Sequence, residues 1–342
     1  MNLRELLDYP VRSIILAEGK FGEPGGKTAN GIVMHSEIIE PVAIVDSTKA
    51  GASLEKALGR ADIEDIPIVE SVGIALETVE SADALVIGVA PPGGELPDAW
   101  VAAIQSAIQS GCDIISGLHV FFSEDEEWCA LAEANGVRLF DVRKPPEEDA
   151  YRVADGAVDS VEADIILTMG TDCAIGKRTT TYELYNEAIK RGIDAAWVAT
   201  GQTGIMVGAH RGVAMDRVPS DFVAGLTEKM IVDLDNDFEM IFVEGQGSLT
   251  HRAYSGVTLS VLHGAWPDAV VLAADPSRNR RVYFEQWPVQ GTVAEIDYIE
   301  RLADTTVAAI SSWANEVDVN LPTANVYEGG AGILLDGIEA VL

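Results

Sequence analysis

The sequence predicts an α/β protein of two domains, each an open sheet with helices on its faces. Three observations carry this. Runs of β-branched residues alternate along the chain with stretches of good helix formers, the order that builds parallel sheets from strand–helix–strand units. The 342 residues are long for one compact domain and suit two, each able to bury its own core. Residues 163–185, ADIILTMGTDCAIGKRTTTYELY, place an apolar run, a glycine-bracketed loop and a helix start in the order of a phosphate-binding P-loop.

The first domain is expected over residues 1–150. Residues 12–17 (RSIILA) read as its first strand. The glycine-rich segment 18–31 lacks the dinucleotide fingerprint and is too long for one tight turn. A second strand, 41–45, ends at Asp46, an acid placed either to hold a ribose hydroxyl or to cap a turn. Strands at 66–69 and 84–90 flank a helix at 72–79. Gly93 and Gly94 then stand at the carboxyl end of a strand, where open α/β sheets take ligands and where a plain turn fits equally well. A helix at 98–110 carries Trp100, Ile104 and Ile108 at helical spacing. A strand at 113–116, a helix at 125–135 stopped by Gly136, and a strand at 137–141 complete a Rossmann-like doubly wound sheet. Residues 143–161, with two prolines, a charge run and no period, read as linker.

The second domain, residues 151–342, opens with the P-loop and is expected to be P-loop NTPase-like. Strand 165–169 leads into Gly170, Thr171, Asp172, Gly176 and Lys177. In such a loop backbone N–H groups turn inward around phosphate oxygens, the helix start adds partial positive charge, and the lysine supplies a full one. Arg178 stands where Ser or Thr normally holds magnesium, and hydroxyls come later at Thr179 and Thr180. An extra arginine suits an extra phosphate better than a metal, so no metal is assigned. A strand at 195–199 is expected beside the P-loop strand, with Gln202, Thr203 and Gly204 facing the same crevice as substrate contacts. A helix at 221–234 follows. The segment EMIFVEGQGSLTH ends a strand in Glu244; a carboxylate there orients a metal, a water or a proton, or else caps the next turn. His251 and Arg252 follow. A buried strand at 269–273 leads to Arg278, Arg280 and Arg281, the densest basic cluster. A strand near 290–296, a helix at 297–314 and a closing strand and turn end the chain.

The net charge of −32, from 55 acidic and 23 basic residues of which 8 are lysines, repels nucleic acid and anionic membranes. A lysine-poor acidic surface is also a halophile habit, which assigns the charge to the medium rather than to a partner. The N-terminus lacks a basic start followed by an apolar core, and a cytoplasmic protein without membrane association is expected. Cys112, Cys129 and Cys173 have an odd count and no metal-like spacing, which fits reduced thiols.

GTDCAIGKRTT followed by VEGQGS resembles dethiobiotin synthetase and its relatives in the P-loop superfamily. The closer resemblance is to a bacterial and archaeal family with a Rossmann-like N-terminal and a P-loop C-terminal domain, one branch of which is the D-glutamate N-acetyltransferases. Its matching words run nearly end to end: AEGKFG, KTA at 27–29, GTDCAIGKRTT, TGQTGI, VPSDFVAG, VEGQGSLTH and YSGVTLSVLHG. The resemblance implies an enzyme moving acetyl from acetyl-CoA to the amine of D-glutamate or a related small amino acid.

That chemistry can be matched to residues. The phosphates of acetyl-CoA suit a P-loop without any hydrolysis. The acceptor amine must lose a proton before attack, and Glu244 and His251 are the candidate bases, with Lys177 completing the catalytic set. Backbone amides of 245–247 can meet the carbonyl oxygen. Arg211, Arg252 and Arg278 are candidates for the substrate carboxylates, because a guanidinium fork matches them. The alternative is an ATP- or GTP-dependent kinase or ligase on a small carboxylate, with Thr179 taking Mg²⁺ and Glu244 serving the metal. A third reading is a nucleotide- or CoA-sensing regulator. Two open sheets with exposed edges point to a homo-oligomer.

Overall fold

The computed structural model describes residues 2–60, 65–89, 96–314 and 317–342. The chain divides into two compact units: Met1–Lys144 with Ile205–Gly208, and Pro145–Gly204 with Ala209–Leu342. Each is built on a parallel sheet, with helices between most successive strands.

In the first unit the strands are β1 (Val11–Leu16), β2 (Ile39–Val45), β3 (Ile68–Val69), β4 (Ala84–Ile87), β5 (Asp113–Ser116) and β6 (Leu139–Asp141). They lie in the order β3-β2-β1-β4-β5-β6, all parallel, which is the doubly wound order. The helices are α1 (Leu3–Leu6), α2 (Lys27–His35), α3 (Leu54–Leu58), α4 (Val72–Thr78), α5 (Asp98–Gln109) and α6 (Glu126–Asn135). Ile14, Leu85, Ile104 and Ile114 pack in one core; strands covered on both faces become continuous apolar runs. Asp125 caps α6 by accepting from the Glu127 and Trp128 N–H groups, and Gly136 ends it at φ 69°. The glycine-rich segment is not all loop. It holds the start of α2, and a side chain at Gly26 would collide with the Lys20 carbonyl. Asp46 is fully buried and accepts from the N–H groups of Phe21 and Thr48, so of its two expected roles the structure supports the turn rather than the ribose. Gly93 and Gly94 lie outside the described residues.

The second unit contains β7 (Asp164–Gly170), β8 (Ala195–Ala199), β9 (Arg211–Gly212), β10 (Met240–Glu244), β11 (Ala269–Ala274), a hairpin of β12 (Arg280–Arg281) and β13 (Phe284–Pro288), β14 (Thr306–Ser312) and β15 (Thr323–Ala324). The large sheet runs β15-β14-β11-β7-β10-β8-β9 and is parallel throughout. Its helices are α7 (Lys177–Lys190), the start of α8 (Gln202–Val207, of which residues 205–207 count with the first unit), α9 (Ser220–Val232), α10 (Ser255–Ala265), α11 (Thr292–Leu302) and α12 (Ala331–Glu339). The P-loop strand β7 is central, flanked by β10 and β11. The strand at 195–199 is therefore beside the Glu244 strand, and not beside the P-loop strand as expected.

Three further differences concern the C-terminal end. The expected strand near 290–296 is the start of α11, whose inner face buries Glu295 and Ile299. The expected helix at 297–314 begins inside α11 and ends in β14, where small residues leave room for α12: a side chain at Gly337 would come within 3.1 Å of the Ala308 carbonyl. The closing turn continues into α12. No helix among the described residues is long and apolar enough to cross a membrane.

Candidate active site

The loop between β7 and α7 starts from its glycines. Gly176 holds φ 97° at the head of α7, a conformation that only glycine adopts without strain. At Gly170 an added side chain would press within 3.1 Å of Ile175 and Lys177. Five residues separate these glycines, one more than in the common form of the loop. The Thr171 N–H donates to the Ala273 carbonyl, which pins the loop to β11. Lys177 is buried, and its ammonium donates to the carbonyls of Asp172 at 2.6 Å and Gly247 at 2.9 Å. Burial pushes it below the usual lysine range, against the pull of Cys173, Asp172, Glu295 and Glu244. Arg178 is lowered in the same way by burial, against Tyr327 and Glu244. Two adjacent cations whose desolvation outweighs their counter-charges make a place where an anion is favoured.

The Asp172 carboxylate holds the loop from beneath. It is fully buried, accepts from the Val282 N–H at 3.0 Å, and lies 3.4 Å from both the Arg278 and Arg281 guanidiniums. Arg278 donates to the carbonyls of Cys173 and Ala174, so it braces the loop, in place of the substrate contact expected of it. In the sequence Arg281 stands out only as part of a basic cluster. Its guanidinium is buried and donates to Thr171 O at 2.6 Å, Ser248 Oγ at 3.0 Å and Thr250 Oγ1 at 2.6 Å. Glu295 completes this network by accepting from Leu249 N–H and Thr250 Oγ1. Burial raises its carboxyl, although the Thr250 and Leu249 hydrogen bonds pull the other way.

Glu244 closes β10 one strand from the loop. It is 7% exposed, and its Oε2 accepts from the Thr200 N–H at 3.3 Å. Gln246 donates from Nε2 to Thr200 O and Oγ1, both at 3.1 Å. Gly204 packs against the same carboxylate, since a Cβ there would come within 2.6 Å of both Glu244 Oε2 and Ala199 Cβ. A side chain at Gly245 would collide with the Thr168 carbonyl.

His251 does not fit the role of base. It is fully buried, with its ring against Tyr254 at 4.7 Å and Phe284 at 5.4 Å. Burial and then Arg281 hold its pKa below the usual histidine range, against the pull of Asp172. Its Nδ1 accepts from the Ala253 N–H, which leaves the hydrogen on Nε2 and no lone pair there to take a proton. His251, Asp172 and Cys173 bring ligand-type atoms within 4.8 Å of one another. The protonated Nε2 and the two arginines on Asp172 fit a metal poorly.

The other expected substrate contacts are dispersed. Gln202 and Thr203 begin α8 and are not part of a loop. Arg211 lies on β9, the sheet edge, with β8 and β10 between it and the P-loop strand, about 14 Å away at normal strand spacing. Arg252 sits over the Trp287 ring, 4.9 Å from its centroid. Thr179 Oγ1 is 3.1 Å from Tyr327 Oη, and Thr180 Oγ1 is 2.7 Å from Ser311 Oγ. Thr179, the expected substitute for a magnesium ligand in the kinase or ligase alternative, thus has a side-chain partner, and so does Thr180.

The family described as "Domain of unknown function (DUF1611_C) P-loop domain" matches residues 152–331, and its companion, "Domain of unknown function (DUF1611_N) Rossmann-like domain", matches residues 47–145. The chain belongs to the DUF1611 family. A crystal structure of a DUF1611 family protein from Anabaena variabilis superposes with a TM-score of 0.87 at 33% identity, over 96% of this chain and 99% of that one. A D-glutamate N-acetyltransferase of Tritonibacter scottomollicae is 36% identical, over 79% of this chain and 87% of its own length. A second D-glutamate N-acetyltransferase, from Pseudoalteromonas sp, is 33% identical over 71% of this chain and 73% of its own.

Proposed function

We propose that this DUF1611 protein is an amino-acid N-acetyltransferase, using acetyl-CoA and acting on D-glutamate or a close analogue. The observation that carries the donor is the state of the loop hydroxyls. Arg178 occupies the place of the usual metal-binding hydroxyl, and Thr179 and Thr180 face Tyr327 and Ser311. A loop built this way suits phosphate held by amides and cations, without a magnesium ion. The two acetyltransferase relatives support the reaction class.

In this reading the amides from Asp172 to Arg178, with Lys177 and the Arg178 guanidinium, hold the phosphates of acetyl-CoA, whose thioester supplies the activated acetyl group. Glu244, at the carboxyl end of β10 and fixed by the Thr200 N–H, takes the proton from the acceptor amine. Backbone N–H groups of Gln246 and Gly247 receive the carbonyl oxygen as it gains charge; that of Gly245, also expected there, donates to the Thr168 carbonyl instead. Asp172, Arg278, Arg281 and Glu295 fix the loop and the 245–251 turn relative to each other. We place the enzyme in the cytoplasm as a homo-oligomer.

The test is release of free CoA thiol on mixing the protein with acetyl-CoA and D-glutamate. Release that depends on the amino acid is expected. Silence across a panel of D- and L-amino acids would remove the proposal. Thermal stabilisation by Mg²⁺–ATP but not by acetyl-CoA would instead direct the chain to phosphoryl transfer.

A further inference from the structure

The three cysteines of the chain stand in three different settings. Cys112 is fully buried, and burial, with Asp83 and Asp113 behind it, pushes its thiol up to about 11. Cys129 is exposed, but the only charged residues of its helix α6 are the acids Glu126, Glu127 and Glu133. Cys173 is half-buried in the loop between β7 and α7, among cations. The Lys177 ammonium donates to the carbonyl of Asp172, which leads directly into it, and Cys173 comes first among the groups that act electrostatically on that ammonium. Arg278 donates to the Cys173 carbonyl at 2.7 Å. The adjacent Asp172 carboxylate does not offset these charges, because Arg278 and Arg281 already face it.

A second observation comes from His251. It is fully buried, and its Nε2 has no hydrogen-bond partner; Asp172 Oδ1, at 3.9 Å, is too far to serve as one. The ring belongs with Asp172 and the Cys173 sulfur to one cluster, whose ligand-type atoms all lie within 4.8 Å of one another. Because Nδ1 accepts from the Ala253 N–H, Nε2 carries a hydrogen that lacks an acceptor. A donor and an ammonium beside a half-buried sulfur favour the thiolate, which is the form that reacts.

We propose that Cys173 is a modification site: a reactive thiol that hydroperoxides oxidise to the sulfenic acid, which closes the loop to phosphate. The thiolate sulfur attacks the terminal peroxide oxygen, so an S–O bond forms as the O–O bond breaks. Sulfur gives up two electrons, and the departing alkoxide or hydroxide takes a proton from solvent. A thiol reductant then forms a mixed disulfide with release of water, and a second thiol restores Cys173. The added oxygen, within reach of the His251 Nε2–H, occupies the turn whose amides would receive phosphate. That closure rests on the reading of the loop as a phosphate site, whereas the reactivity of the thiol does not.

The test alkylates the reduced full chain with iodoacetamide at neutral pH and follows each cysteine by peptide mass spectrometry. Cys173 should react about tenfold faster than the more exposed Cys129, as a thiolate held by neighbouring cations does. Inorganic pyrophosphate should protect Cys173 and leave Cys129 unchanged. Hydrogen peroxide followed by dimedone should tag Cys173, and in calorimetry peroxide should weaken pyrophosphate binding by about tenfold or more until dithiothreitol restores it. Cys173→Ser should bind pyrophosphate equally with and without peroxide. If Cys173 reacts no faster than Cys129, the reactive thiol is overturned. If it is tagged while pyrophosphate binds as before, the closure is overturned and the modification site stands. If pyrophosphate does not bind even the reduced protein, the phosphate reading falls, and the alkylation ratio alone decides the thiol.

Discussion

The two units share an architecture and differ in what they bury. In the first, the buried carboxylates of Asp46 and Asp141 meet backbone N–H groups, of Phe21 and Thr48 in one case and of Phe122 and Ser123 in the other. Each fixes a turn at the end of its strand. In the second, Asp172 meets two guanidiniums, and Lys177, Glu244, Arg281 and Glu295 are buried around the same strand ends. Buried hydrogen-bonded acids make a scaffold rigid, whereas opposed buried charges are costly to assemble and tend to mark chemistry. The chemistry proposed above is therefore placed in the second unit, where these opposed charges lie.

This contrast can be broken most sharply at Glu244. In the acetyltransferase reading, Glu244→Gln should lower turnover by about 10²- to 10⁴-fold, the usual worth of a general base, with cofactor affinity nearly unchanged in calorimetry. Unaltered turnover would move the proton transfer elsewhere. Lys177→Ala comes next and should weaken pyrophosphate or CoA by about 100-fold, the value of two charge-assisted hydrogen bonds. Asp46→Ala in the first unit should lower the melting temperature without altering that affinity. Equal affinity losses in both variants would erase the distinction.

The smallest effect is a pH dependence at Glu295. Burial raises its carboxyl above the ordinary value of 4.5. A raised carboxyl stabilises the fold fully below that ordinary value, and the contribution disappears as pH climbs through the raised one. Glu295→Gln does not titrate. Its melting temperature relative to wild type should therefore rise by a few degrees as the pH climbs from about 4.5 through the raised value. A difference that stays constant across that range would contradict the buried charge.

What the sequence disclosed and what it hid divide along physical lines. The P-loop was legible because local order suffices for it: strand, glycines, lysine and helix are contiguous. Glu244 was legible as the end of an apolar run. Arg281 was not, since its burial depends on Thr171, Ser248 and Thr250, each some thirty or more positions away. The neighbour of the P-loop strand was misplaced because strand order in a sheet follows from crossovers and leaves no local signal. The exchange of strand and helix near residues 290–314 has another cause. The alanines of β14 look like helix formers and are in fact the small residues that α12 requires against the sheet.

Gly204 shows how far such a constraint reaches. Its neighbour Glu244 is forty positions downstream, and the absence of a single methyl group between them keeps the carboxylate oxygen where it stands. An attempt to broaden the acceptor range by enlarging residue 204 would displace the acid before it reshaped any pocket. Freedom to vary in that helix is thus set by a strand it follows only in space.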